Sequence, residues 1–251
     1  IKRVLSLAGL CLALWLCCTL VGPALAQQSR PEACVLPDET DTAQTTPENS
    51  QLLRLLSLGF GLDADLIDAL PTLLGFEEPM TYMVLLQASD ELRPSGGLLK
   101  QIVLIRLERG RPTVVRTLNA SQIHPLNGYN WVDQGLWIAP PRPIENYLGL
   151  GNWVLTDDNW WADYRATARQ VLTFWAQAGC SPIDGVIATN EFAITQLLDA
   201  IGGIPLQDGS TLTGAGLKTY VLDQFYADTD LPITQQQLIA AQDLATALVD
   251  T

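Results

Sequence analysis

The segment from Val4 to Ala26, VLSLAGLCLALWLCCTLVGPALA, holds no charged residue and follows directly on Lys2 and Arg3. At about 1.5 Å of rise per residue, a helix of that length would cross a hydrocarbon core of about 30 Å. The basic pair would then stay on the cytoplasmic side. The same residues also read as a cleaved secretory signal, because Ala24, Leu25 and Ala26 form a small-x-small site before Gln27. The run is long for a signal core, which favours an anchor. Both readings place everything after about residue 27 outside the cytoplasm, in a single-pass membrane protein or, after cleavage, a secreted one.

From Gln27 to Ser50 the chain is rich in Pro, Thr, Gln and acids, with almost nothing to bury. Residues 27–50 therefore read as a polar linker, about 80 Å long if fully extended. Residues 51–251 are left as one extracytoplasmic domain. Cys11, Cys17 and Cys18 lie inside the apolar run, so Cys34 and Cys180 remain as a lone pair in the exported part. An oxidising compartment permits a disulfide between them, although two isolated thiols give no spacing signature.

The formal charge of −13 and the absence of any Lys or Arg cluster argue against nucleic acid as a partner, since phosphate backbones are bound by clustered cations. One histidine, His124, and two scattered cysteines cannot supply a zinc set. No metal site and no cofactor are expected from these residues. The expected partners are the bilayer, through residues 4–26, and protein components of a membrane complex.

Leucines recur at helical spacing from Gln51 to Leu74, and Pro71 interrupts them, which predicts one or two short amphipathic helices. The apolar run TYMVLLQ at 81–87 predicts a buried strand, followed by a polar hinge, ASDELRPSGG. LLKQIVLIRLERG and TVVRTL, separated by a turn around Gly110, predict a hairpin or meander. Residues 119–153 are loop-rich and aromatic. IDGVIAT then predicts a strand, NEFAITQLLDAIGG a helix opened by Asn190 and closed by Gly202 and Gly203, and IPL another short strand. Strand, helix, strand in that order implies an α/β fold with a mixed, partly parallel sheet. Helices are also expected over about 217–226 and in the final Gln- and Ala-rich segment.

The densest chemistry lies in DDNWWADYRATARQ, Asp157 to Gln170. Asp163 would begin a helix that Gly179 ends, and Arg165 and Arg169, four apart, would share one face. Asp157 or Asp158 caps a turn, or holds Mg²⁺ beside a phosphorylated ligand. The arginines pair with these acids, or bind phosphate oxygens. Gly96 and Gly97 would let backbone amides approach an anion, or simply supply a turn. Of Trp160 and Trp161, one is expected in the core and the other free to stack on a ligand or rest on lipid.

Three patches together resemble the bacterial family known as domain of unknown function 4012: YMVLLQASDELRPSGG, LTDDNWWADYRATARQ and DGVIATNEFAITQLLDAIGGIPL. The resemblance covers roughly residues 80–226. More loosely, an apolar strand leading to an Asp and an Arg, with a later helix ending Asp-Ala-x-Gly-Gly before a strand, is similar to the LytR-CpsA-Psr phosphotransferases. Those are membrane-anchored enzymes that move polyprenyl-pyrophosphate-linked glycopolymers onto cell-wall acceptors. That likeness implies a three-layer α/β fold, with Asp90 and Arg93 near the metal-binding acid and the pyrophosphate-binding arginine, and Mg²⁺ as a cofactor. After the second main strand, where those enzymes carry Pro-Arg-Asp, the chain reads TLNASQ.

Phosphoryl transfer needs cationic groups on the pyrophosphate, acids for Mg²⁺ and a base for the incoming hydroxyl. Arg93, Arg165 and Arg169 would supply the first, and Asp90, Asp157 and Asp158 the second. With the Pro-Arg-Asp motif missing, the sequence favours a non-catalytic relative: an exported binding or accessory subunit of a membrane or envelope complex. The competing reading is an anchored phosphotransferase. Convergence of the three arginines on one pocket would favour a ligand site.

Overall fold

The computed structural model describes residue 36 and residues 64–123, 138–206, 209–225 and 231–250. The charge-free run, the linker apart from Leu36, Cys34, His124 and residues 51–63 lie outside the described residues. Among the described residues no helix is long and apolar enough to cross a membrane.

Four strands form one mixed sheet in the order β3-β2-β1-β4. They are β1 (Met80–Arg93), β2 (Gly96–Glu108), β3 (Arg111–Asn119) and β4 (Gly185–Asn190). β1 pairs antiparallel with β2 and parallel with β4, while β2 pairs antiparallel with β3. The first core strand obeys the period of two: Thr81, Met83, Leu85 and Gln87 are buried, and the residues between them are half-buried.

The polar stretch expected as a hinge is instead the end of β1. Ala88 faces Leu98 and Leu92 faces Gly97, so Ser89, Asp90 and Glu91 have no residue opposite them and form a wide irregularity. The chain reverses over Pro94 and Ser95 alone. Polar residues extend a strand readily where it leaves the core, because solvent accepts their side chains and the partner strand still supplies the ladder. At the other end of β2 the turn is Arg109–Gly110, both at positive φ (52° and 74°), which suits the twist of a two-residue hairpin.

Helix α1 (Ala64–Leu73) continues through Pro71 rather than stopping before it. Pro71 lies in the last turn, where its missing N–H costs one bond and ends no long ladder. The Leu74 and Gly75 carbonyls accept the N–H groups of Gly110 and Arg109, both at 2.8 Å. After a short helix, α2 (Arg142–Leu148), comes α3 (Tyr164–Gln177), the crossover that lets β4 run parallel to β1.

α3 lays Val171, Phe174 and Trp175 on Met83, Leu85, Ile102 and Leu104. Trp153, Leu155 and Ile144 complete this core, and the Trp175 indole donates to the Ser181 carbonyl at 2.6 Å. Burying one aromatic side chain of this size stabilises by about 3–5 kcal/mol, judged from what truncation to Ala removes. Asp184 sets the β4 register: its carboxylate accepts the Thr81 N–H at 2.7 Å, and its own N–H donates to the Thr81 carbonyl at 2.8 Å.

The parallel pairing is between β1 and β4, not between β4 and IPL. Past α4 (Glu191–Ile201), Gly202 and Gly203 (φ 80° and 93°) turn the chain into β5 (Ile204–Pro205), which pairs antiparallel with β6 (Thr211–Leu212). A turn of two glycines is too short to return the chain to the sheet beside β4, so the ribbon forms locally. α4, α5 (Gly214–Phe225) and α6 (Ile233–Val249) close a second core on Leu198, Ile204, Leu212, Leu217 and Leu244.

Candidate functional site

The β1–β2 hairpin tip is clasped to the segment that opens α3. Ser95 donates from both N–H and Oγ to the Asn159 carbonyl, at 3.2 and 3.0 Å. The Asn159 amide donates in return to the Gly97 carbonyl. Ser95 Oγ lies 3.4 Å from Thr167 Oγ1, which donates to the Trp161 carbonyl at 3.1 Å, and Gln87 Nε2 donates to the Ser95 carbonyl at 3.1 Å.

The paired glycines are required by packing here. A Cβ at Gly96 would overlap the Gln87 amide, and one at Gly97 would overlap the Ala88 carbonyl. Gly96 also sits at φ 138°.

Arg93 closes on this clasp. Its Nε and Nη2 donate to Asp157 Oδ1 at 2.8 and 2.6 Å, and its Nη1 donates to the Leu92 carbonyl at 2.9 Å. The two side chains are 13 % and 5 % exposed, so the ion pair is largely removed from water. Trp153 holds the other end of Asp157, its indole donating to the Asp157 carbonyl at 3.2 Å.

Asp158, the next residue, is fully buried, and neither of its carboxyl oxygens has a hydrogen-bond partner. Burial alone pushes its pKa up to about 9, so the side chain is a neutral carboxylic acid at pH 7. The Asn159 side-chain oxygen is likewise buried and unpartnered.

The other candidates stand apart. Asp163 caps α3, its carboxylate accepting the Arg165 N–H at 3.0 Å. Arg165 and Arg169 are exposed on the outer side of that helix, and Asp90 is exposed on the irregular end of β1. Trp160 packs on the core; Trp161 is 43 % exposed and meets Trp153 edge-on at 6.1 Å. Cys180 is disulfide-bonded, and Cys34 lies outside the described residues. Leu36, two residues on from Cys34, donates its N–H to Ser181 Oγ at 3.1 Å.

An open cavity of about 520 Å³ adjoins the clasp. Gln87 and Ser95 line it from the hairpin, Ala162 and Tyr164 from the start of α3, and Val186, Ile187 and Ala188 from β4. None of the three arginines lines it. Tyr164 donates its hydroxyl to the Val186 carbonyl at 3.1 Å, and burial raises its pKa. Among the described residues no group of three or more His, Cys, Asp or Glu stands together to hold a metal ion. Mg²⁺ does not fit the three acids as placed: Asp90 is exposed on its own, Asp157 is bound to Arg93, and Asp158 is protonated.

Gln87, Ser95, Asn159 and Thr167 carry the clasp, and sequence reasoning did not single out their contacts. Ser95 and Asn159 are 64 positions apart, a separation at which no local pattern operates. The only hint was that both fall inside the quoted patches.

A mixed α/β domain whose hairpin tip is tied to the start of α3 by internal hydrogen bonds is thus defined by fold and site together. The family model described as protein of unknown function (DUF4012) matches residues 77–226, and the chain belongs to that family. No curated protein matches the chain.

Proposed function

We propose that the chain is an extracytoplasmic three-layer α/β domain, carried by an N-terminal membrane segment, that serves as a non-catalytic binding or accessory subunit of a membrane or envelope complex. The observation that carries this reading is the commitment of Arg93. A pyrophosphate-binding arginine must leave its guanidinium edge free for ligand oxygens. Arg93 spends that edge on Asp157 and on a carbonyl of its own strand. Arg165 and Arg169, exposed on α3, do not line the cavity with it.

The cavity lining adds support. Its polar groups Ser95 and Tyr164 already donate to protein carbonyls, and the remainder is amide or apolar. Such a surface accepts a neutral or apolar contact more readily than a pyrophosphate.

The competing reading is a LytR-CpsA-Psr-like phosphotransferase. Calorimetry with a polyprenyl-pyrophosphate analogue, with and without Mg²⁺, separates the two. The expected result is no saturable binding and no release of pyrophosphate-linked product. Saturable binding lost in each of Arg93→Ala, Arg165→Ala and Arg169→Ala, in variants that keep their fold, would establish the transferase reading instead.

A further inference from the structure

β4 ends the sheet: it pairs with β1 on one side, and no described strand lies on the other. The backbone groups on that outer edge follow from Thr81, whose N–H and carbonyl both turn towards Asp184, at the start of β4. Residues two apart in a strand direct these groups to the same side, so Met83 and Leu85 face β4 as well. Their hydrogen-bonding partners in the parallel register are Gly185, Ile187 and Thr189, which stand opposite Tyr82, Val84 and Leu86. Val186 and Ala188 therefore turn outwards. The Val186 carbonyl accepts the Tyr164 hydroxyl at 3.1 Å, whereas among the described residues nothing meets the Val186 N–H, the Ala188 N–H or the Ala188 carbonyl.

The two edges of the sheet differ. β3, at the far edge, exposes Arg111 and Pro112 and has a bulge at Val115, which stands opposite no residue of β2. Charge, proline and bulges are the devices that keep a further strand from pairing. β4, GVIATN, has none of them: it carries no charge and no proline, its register with β1 is unbroken, and none of its six residues is buried. The cavity of about 520 Å³ adjoins this same edge, lined by Val186, Ile187 and Ala188 of the strand together with Ala162 and Tyr164. No residue that lines it is charged.

The open ladder itself selects the occupant. Backbone donors and an acceptor at strand spacing are matched by another extended backbone, and the uncharged lining suits uncharged side chains. A second copy of the chain would bring one net charge of −13 against another. We propose that the outer edge of β4 docks an extended, uncharged segment of a partner protein, which adds a fifth strand to the sheet and lays alternate side chains in the cavity. The proposal rests on the accessory reading above and names the surface through which the subunit acts.

The test uses the full chain and an end-blocked hexapeptide alternating Val and Thr, followed by fluorescence anisotropy and by amide hydrogen exchange. Two further peptides, N-methylated at odd or at even positions, keep every side chain and each remove one set of donors. Ala188→Pro removes an outward N–H at an edge position, where proline is tolerated. Ala162→Trp fills the cavity from an exposed residue and is a second, independent variant should the first alter the unfolding midpoint. The expected result is saturable binding below about 1 mM, weakened at least tenfold by either variant and by one methylation pattern but not the other. Exchange at the Val186 and Ala188 amides should slow at least tenfold on binding. Absence of saturation, equal effects of the two methylation patterns, or undiminished binding by both variants would overturn the proposal. So would a dimer in sedimentation that dissociates in Ala188→Pro, since a second copy would then occupy the edge. Transfer activity in the polyprenyl-pyrophosphate experiment removes the accessory reading whatever the peptide does, whereas failure of the peptide alone removes only this edge.

Discussion

Arg93 and Asp157, 64 positions apart, meet at 2.6 Å in a site where neither side chain is more than 13 % exposed. Taking two charges out of water is costly, and their attraction offsets that cost only while both are present. Arg93→Ala strands a buried carboxylate and should destabilise by about 3–5 kcal/mol. Replacing the pair together, as Arg93→Met with Asp157→Leu, should cost far less. Urea unfolding of the two single variants and the double variant checks this. A ligand-binding arginine without a structural role would leave the midpoint unmoved.

Asp158 makes stability fall as pH rises. Its carboxyl titrates near 3.8 when unfolded and about 9 when folded, so between those values the native state holds a proton that the unfolded state has lost. Stability from this group is greatest below about pH 4, declines through neutral pH and levels off above about pH 9. Asp158→Asn keeps the shape without the ionisation. The variant should be more stable than wild type at pH 7, and the difference should widen towards pH 9 and shrink towards pH 4. Equal stability at pH 5 and pH 8.5 would show that Asp158 does not hold its proton.

The cap of α3 separates structural from exposed charges within a few residues. Asp163→Ala removes the acceptor for the Arg165 N–H and should cost about 0.5–2 kcal/mol. Arg165→Ala and Arg169→Ala, both on the exposed side, should change stability by less than about 0.5 kcal/mol. Thermal unfolding of the three variants side by side is sufficient.

Cys180 is disulfide-bonded, and the Leu36 contact with Ser181 brings the chain near Cys34 to the same place. Peptide mapping without reduction should recover a fragment joining Cys34 to Cys180. Cys34→Ser should expose a free thiol at Cys180 and destabilise by about 2–4 kcal/mol. Recovery of unlinked Cys34 from unreduced protein would exclude the bridge.

The topology expected from the first residues is checked in cells. Protease added from outside should digest the chain after Ser50, and intact-mass analysis should find either the whole apolar run or a chain beginning at Gln27. Protection of the region after Ser50 in sealed cells would place the domain on the cytoplasmic side.

Elements governed by neighbouring residues were legible in the sequence. The strand at 81–87, the α3 cap at Asp163, and the α4 cap at Asn190 with its stop at Gly202 depend on periodicity and on side chains bonding backbone two or three positions away. The three patches that mark the family fall within residues 77–226 for the same reason: each is a short, continuous pattern. The mixed sheet was legible as a class, but its parallel partner was not, because two strands, β2 and β3, and two helices, α2 and α3, come between β1 and β4 in the chain.

What the tertiary structure alone decided is the meaning of the charged residues. The same acids and arginines serve a pyrophosphate site or a set of internal ties, depending on whether each group faces a cavity, a partner or nothing. Arg93 faces Asp157, Arg165 and Arg169 face water, and Asp158 faces an interior that removes its charge. Composition fixes how many charges a chain carries; distance and burial, which arise only when remote segments pack, fix whether each is ionised and what it binds.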